Sequence, residues 1–191
     1  ICFPTDMGSN KSYSNLFYWA HATANLDSTI GLHPHKGFEI MTFVLSGSIK
    51  HYDTLIDQWI KLDKGDVQVI QAGSGISHSE FMQKNSSIFQ IWFDPNINKT
   101  IYEKPKYKDY KSNLFKIKKN KKIIIGKDSS LKIKSEGIEI FELKLTEDTN
   151  LDLNIKKYYS IYLLTGKIAL KEKEINNHDF IKISNENNIS L

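Results

Sequence analysis

Two pairs of side chains in this 191-residue chain have the types and spacing for metal chemistry: His33 and His35 in HPHKGFE, and His78 and Glu80 in GSGISHSE. In a β-strand, alternate side chains share a face, so each pair would project to one side of its strand. Two such pairs on facing strands of a small barrel converge on one point. Three imidazoles and one carboxylate suit a borderline divalent ion such as Fe(II), Mn(II), Co(II), Ni(II), Cu(II) or Zn(II). There is no thiolate to select a soft metal and too little oxygen for Ca or Mg. Protons compete with the ion for free imidazoles, so affinity is expected to fall on acidification through about pH 6.5. His21, His51 and His178 each stand without a partner at ligand spacing and read as structural.

The intervening sequence is that of an antiparallel β-protein. Phe38–Leu45 (FEIMTFVL) is apolar almost throughout, as expected of a strand covered on both faces. Short strand-like runs over 16–20, 49–52, 58–62, 67–70, 77–82 and 88–93 alternate with Gly, Asn and Asp turns, and no amphipathic helix of ordinary length is evident. Trp19, Trp59, Trp92, Phe38, Phe43, Phe89 and Phe93 are assigned to the core. Gln90 and Trp92, two apart on one strand, are placed where they could also line the pocket. Gly73 and Gly75 permit a tight bend. They do not form a phosphate loop, because neither its lysine nor a following helix is present.

Bulk composition narrows the class. With 40% hydrophobic and 25% charged residues the chain should bury a core without staples. The single cysteine, Cys2, cannot form an intrachain disulfide, which fits a reducing compartment, and cytoplasm is the expected location. No stretch approaches the ~20 apolar residues of a membrane span. The chain opens without methionine or a signal-like segment, so it is read as processed or trimmed, with residues 1–15 a loose N-terminal segment. All 26 basic residues are lysine and the net charge is only +4, so direct nucleic-acid binding is not expected: arginine carries most bidentate readout of guanine and phosphate.

The second half echoes the first. TFVLSGSI (42–49) aligns with IYLLTGKI (161–168), and GDVQVI (65–70) with HDFIKI (178–183). Counting back from the aligned glycines, Asp152 and Asn154 take the places of His33 and His35, so the second copy should hold no metal. Three regions are expected: a metal-binding barrel with its N-terminal segment over 1–100, a lysine-rich connection over 101–122, and a degenerate cupin-like barrel without a metal site over 123–191.

HPHKGFE and GDVQVIQAGSGISHSE, in this order and at this spacing, resemble the signature strings of the pirin family, which are bicupins; the likeness covers residues 31–93 well. It implies an all-β bicupin fold of two antiparallel jelly-roll barrels, the second degenerate. It also implies His33, His35, His78 and Glu80 as the ligands of one metal ion, foremost Fe(II). Glu39, a ligand in many other cupins, would stand behind them. Lys36 departs from the arginine common in the family, and Asp27 stands where cupins carry a glycine. The implied function is a quercetinase-type dioxygenase taking a flavonol or related enediol together with dioxygen, with Glu80 as the catalytic base. The alternative is a non-catalytic iron- or redox-sensing regulator with a protein partner.

Overall fold

The computed structural model describes residues 10–191, so Cys2 and most of the expected loose N-terminal segment lie outside the described residues. The chain divides into two compact units, Ile1–Glu142 and Leu143–Leu191. The first holds nine strands that make the barrel: β1 (Leu16–Thr23), β2 (Ser28–His35), β3 (Glu39–Ser46), β4 (Ser48–Asp53), β5 (Ile60–Asp63), β6 (Val67–Gln71), β7 (Ile76–Met82), β8 (Ser87–Phe93) and β9 (Lys106–Tyr110). They form two sheets, ordered β1-β8-β3-β6-β9 and β2-β7-β4-β5, with every pairing antiparallel.

Register explains why FEIMTFVL lacks alternation. Directly paired residues share a face, so Ile40, Ile70 and Trp92 form one row across the five-stranded sheet, and Thr42, Gln68 and Gln90 the next. Met41, Val69 and Ile91 occupy the opposite face and are also buried, so both sides of β3 are covered. Barrel packing is apolar at one end, where Ala24, Val44, Ile49, Leu62, Met82 and Ile88 cluster. Towards the other end Ile40, Ile70, Ala72 and Ile76 pack with Phe38, Trp92 and Tyr107. Between these lies a polar layer, described below.

Three expectations are revised. The lysine-rich stretch does more than connect, because Lys106–Tyr110 is β9, hydrogen-bonded to β6 along the edge of the larger sheet. Its alternation is the reason: Tyr107 pairs with inward-facing Ile70, while Lys106 and Lys108 take the other face. Second, Trp59 is not core; half of its surface is exposed beside Tyr52.

Third, Glu39 does not stand behind the metal site. Its parity puts it on the face of β3 opposite Thr42, away from the barrel interior. There its buried carboxylate accepts hydrogen bonds from the backbone N–H groups of Lys134 and Ser135, the Ser135 hydroxyl and the Gln71 amide, at 2.6, 2.8, 2.6 and 2.8 Å. It clasps the segment after β9, which continues through β10 (Ile117–Lys118), β11 (Lys121–Ile125) and β12 (Ile140–Leu143). Residues 123–142 accordingly group with the first unit.

The second unit contains β13 (Asn150–Asp152), β14 (Tyr159–Tyr162), β15 (Ile168–Leu170), β16 (Lys173–Ile175), β17 (Phe180–Ile183) and β18 (Asn188–Ser190). Its pairings, β13 with β18, β14 with β17 and β15 with β16, repeat those of β2 with β7, β3 with β6 and β4 with β5. The aligned turn glycines, Gly47 and Gly166, share a left-handed backbone, φ +68° and +98°. The fold is therefore all-β, a bicupin of two antiparallel jelly-roll units with the second reduced. In the second unit Asp152 sits opposite Asn188, where the first has His33 opposite His78.

Candidate metal centre

His33 and His35 lie on β2, and His78 and Glu80 on the neighbouring β7. His33 pairs directly with His78, so the two rings face the same way. A bulge at Gly31 and Leu32 inserts one extra residue between Ile30, opposite Glu80, and His33. The Nε2 atoms of His35 and His33 each lie 3.0 Å from His78 Nε2. The four predicted residues are not all equally close. The three histidines form one group of potential ligand atoms mutually within 4.8 Å, while Glu80 falls in a second such group with His78 and His51.

The residues fit a metal ion. Burial and the adjacent His33 lower the His35 pKa to about 4, while burial and the neighbouring His35, His33 and His51 lower that of His78 to about 2. Both rings are therefore neutral near pH 7. Ring nitrogens this close leave lone pairs facing each other unless a proton or a cation lies between them. Nitrogens at right angles around an ion with bonds of about 2.1 Å stand about 3.0 Å apart, against about 3.4 Å at the tetrahedral angle. The 3.0 Å spacings here suit nitrogens that would share one such ion.

Glu80 is buried and held by donors. The Gln90 amide nitrogen donates to both carboxylate oxygens, at 3.1 and 2.9 Å, and the Thr42 hydroxyl and Gln68 amide reach Oε1 at 3.4 and 3.5 Å. Trp92 Nε1 donates to Gln90 Oε1, fixing which way that amide points. Burial raises the Glu80 pKa above the usual carboxylate range, against the opposing pull of Gln90, His33 and Thr42. Thr42, Gln68 and Gln90 each interrupt an apolar run, and the register sets them in one row. Trp92 and Phe38 wall the site, both rings packing against His35. Gln90 and Trp92 thus both touch the proposed ligands, Gln90 at Glu80 and Trp92 at His35.

The residue that sequence reasoning passed over is His51. It is fully buried, its Nε2 lies 2.7 Å from Asp53 Oδ2, and its ring stacks on Tyr107 at 4.5 Å. Across β4 and β7, His51 is directly opposite Glu80 and Asp53 opposite His78. A signal was present, since His51 and Asp53 have the same two-residue period as the ligand pairs. Burial lowers the His51 pKa despite the opposing Asp53 carboxylate, so the ring is neutral near pH 7. His21 and His178 lie elsewhere, the first bonded to Ser87 and the second stacked on Tyr162 at a turn.

These shifts alter the expected pH response. A lowered histidine pKa means that the neutral, ligating form survives as pH falls through the ordinary imidazole range, for His35 down to about 4. At pH 5 three ordinary imidazoles would lose about three protons per ion bound, a slope of about three in log affinity against pH. With His35 and His78 already neutral, at most one imidazole proton is left to displace, and Glu80, its pKa raised by burial, adds no more than one, so the slope is expected to be about two or less. Nickel titration calorimetry at several pH values around 5 measures it. A slope of three would mean that burial does not keep these rings neutral.

The pirin family model matches residues 6–93, ending at the last residue of β8. A quercetin 2,3-dioxygenase of Escherichia coli is 27% identical over 169 residues, which is 84% of this chain and 70% of that protein. Further curated relatives, 37–46% identical, match over only 72–89 residues, or 24–38% of their own length. Among solved structures, YhhW from Escherichia coli superposes with a TM-score of 0.76 at 25% identity, covering 93% of this chain and 76% of that one. The same bacterial pirin in complex with nickel(II) gives 0.76 at 24% identity over 93% and 77% and shares the fold. The matched segment, residues 6–93, is the barrel that carries both histidine motifs, and over that segment the chain matches the pirin family.

Proposed function

We propose that this chain is a metal-dependent oxidoreductase of quercetinase type, holding one divalent transition ion, foremost Fe(II), on His33, His35, His78 and Glu80. It would act on a flavonol or related enediol with dioxygen. The observation that carries this reading is the convergence of three Nε2 atoms beside a buried carboxylate. The naming of the Escherichia coli relative as a quercetin 2,3-dioxygenase and the nickel(II) held by YhhW support it. The bound ion would supply open coordination positions where substrate oxygen and dioxygen meet.

The chain's own residues do the rest. Glu80, its pKa raised by burial, is suited to accept a hydroxyl proton from a flavonol, since a base is most effective when its pKa lies near the working pH. Gln90, fixed by Trp92, and Gln68 hold the carboxylate in place. Phe38 and Trp92, stacked at 5.0 Å, offer an apolar wall for a planar ring. A depression of about 390 Å³ at the barrel mouth, lined by Pro34, His35, Lys36, Thr54, Ile76 and Ser77, gives access from solvent.

Elemental analysis and oxygen uptake with quercetin test the reading. One equivalent of metal per chain is expected, because the second unit carries Asp152 and Asn154 in place of histidines. Fully iron-loaded protein that neither binds nor oxidises any of a panel of flavonols and enediols under air would leave the regulatory role as the better account.

A further inference from the structure

Beneath the three converging imidazoles lies a second, fully enclosed pair, Asp53 and His51, that takes no part in the proposed coordination. Asp53 is completely buried and its orientation is fixed, with Oδ1 accepting from the backbone N–H groups of Leu55 and Ile56, both at 2.8 Å. Oδ2 therefore faces His51 Nε2, 2.7 Å away. A carboxylate can only accept, so the proton sits on His51 Nε2, and in the neutral ring Nδ1 keeps a lone pair. That Nδ1 is buried with no hydrogen-bond partner among the described residues, and so is Nδ1 of His78. The two rings are neighbours, with centroids 5.5 Å apart. A ring nitrogen from each and a Glu80 oxygen lie mutually within 4.8 Å, a gap that one water spans with ordinary hydrogen bonds.

Neither Nδ1 has a direct partner, so the His51 Nδ1 lone pair needs a bridging donor. Where one water bridges, with His51 Nδ1 and the Glu80 carboxylate taking both of its hydrogens, the water oxygen accepts from His78 Nδ1–H. In that arrangement His78 carries its proton on Nδ1 and presents the Nε2 lone pair to His33 and His35. We propose that Asp53 and His51 are positioning residues that lock His78 in the tautomer able to ligate through Nε2. This rests on the reading of His78 as a ligand, and it assigns a function to two buried polar residues that packing alone does not require. Buried polar groups are costly unless paired, and outer partners of ligating histidines typically fix their tautomer and orientation.

The test has one arm without metal and one with it. In metal-free, ¹⁵N-labelled wild-type protein, the imidazole nitrogen shifts of His78 should report a single Nδ1–H tautomer. In Asp53→Asn the new amide donates to His51 Nε2 and drives the proton to Nδ1, so His78 should lose that single form. Nickel affinity should fall about 10- to 100-fold in Asp53→Asn and in His51→Leu, as for other lost outer-shell partners. In His51→Asn, Oδ1 falls where Nδ1 stood, and most of the affinity should return. A wild-type His78 protonated on Nε2 overturns the proposal, as does wild-type nickel affinity in folded His51→Leu. Wild-type protein that binds no nickel while His78 is Nδ1–H would instead refute the metal-site reading and leave the tautomer lock standing.

Discussion

Replacing His78 with Ala is expected to abolish tight binding of a divalent transition ion, a loss larger than the 10- to 100-fold typical of outer-shell changes. His78 is the hub of the cluster, because its Nε2 is the atom from which those of His33 and His35 each lie 3.0 Å away. It is also the only one of the three histidines that is fully buried, so no exposed side chain can swing into its place. The control is His178→Asn, since His178 sits at a turn with φ +71°, a backbone that Asn tolerates better than Ala. That variant should bind nickel as the wild type does. Calorimetric titration with circular dichroism as the check on folding measures both. Tight binding by His78→Ala, or an empty site in His178→Asn, would show the ligand assignment to be wrong.

Glu80→Gln should separate chemistry from coordination. A flavonol must lose its hydroxyl proton before its ring is electron-rich enough to meet dioxygen, and Glu80 is the only carboxylate among the four proposed ligands. The substitution keeps the shape and leaves an amide oxygen to accept from Gln90, but it removes the basic site. Turnover is expected to fall about 10²- to 10⁴-fold, as is typical when a general base is lost, while three imidazoles retain much of the metal. Oxygen uptake normalised to metal content is the measurement. If activity and metal decline in parallel, Glu80 serves chiefly as a ligand, and if normalised activity is unchanged the base lies elsewhere.

The neighbourhood of Glu80 explains why a charged group tolerates such depth. Its donors, Thr42, Gln68 and Gln90, come from three different strands, and each interrupts an apolar run. Together they satisfy a carboxylate that would otherwise be costly to bury, and they leave its pKa displaced upward by burial. Asp53 and His51 pair with each other on the other sheet, so the polar layer continues across both sheets.

The sequence by itself determined the strand character, the pairing of ligand types and the internal repeat. Each depends on local chemistry: two-residue alternation puts His33 with His35 and His78 with Glu80, and turn glycines mark Gly47 and Gly166. What it left undecided was everything set by which strand lies beside which. His51 looked solitary because its partners are Asp53, two residues along, and Tyr107, from an edge strand 56 residues away whose lysines read as a connector. Glu39, four residues past His35, looked like a neighbour of the metal. Parity sets Glu39 on the face opposite Thr42, but only the pairing of β3 with β6 and β8 makes the Thr42 face the interior one and leaves Glu39 to Ser135. Thr42, Gln68 and Gln90 likewise became one row only through register. Parity is written in the chain, but which of a strand's two faces meets the barrel interior depends on contacts between residues far apart in sequence, and those the tertiary structure alone decided.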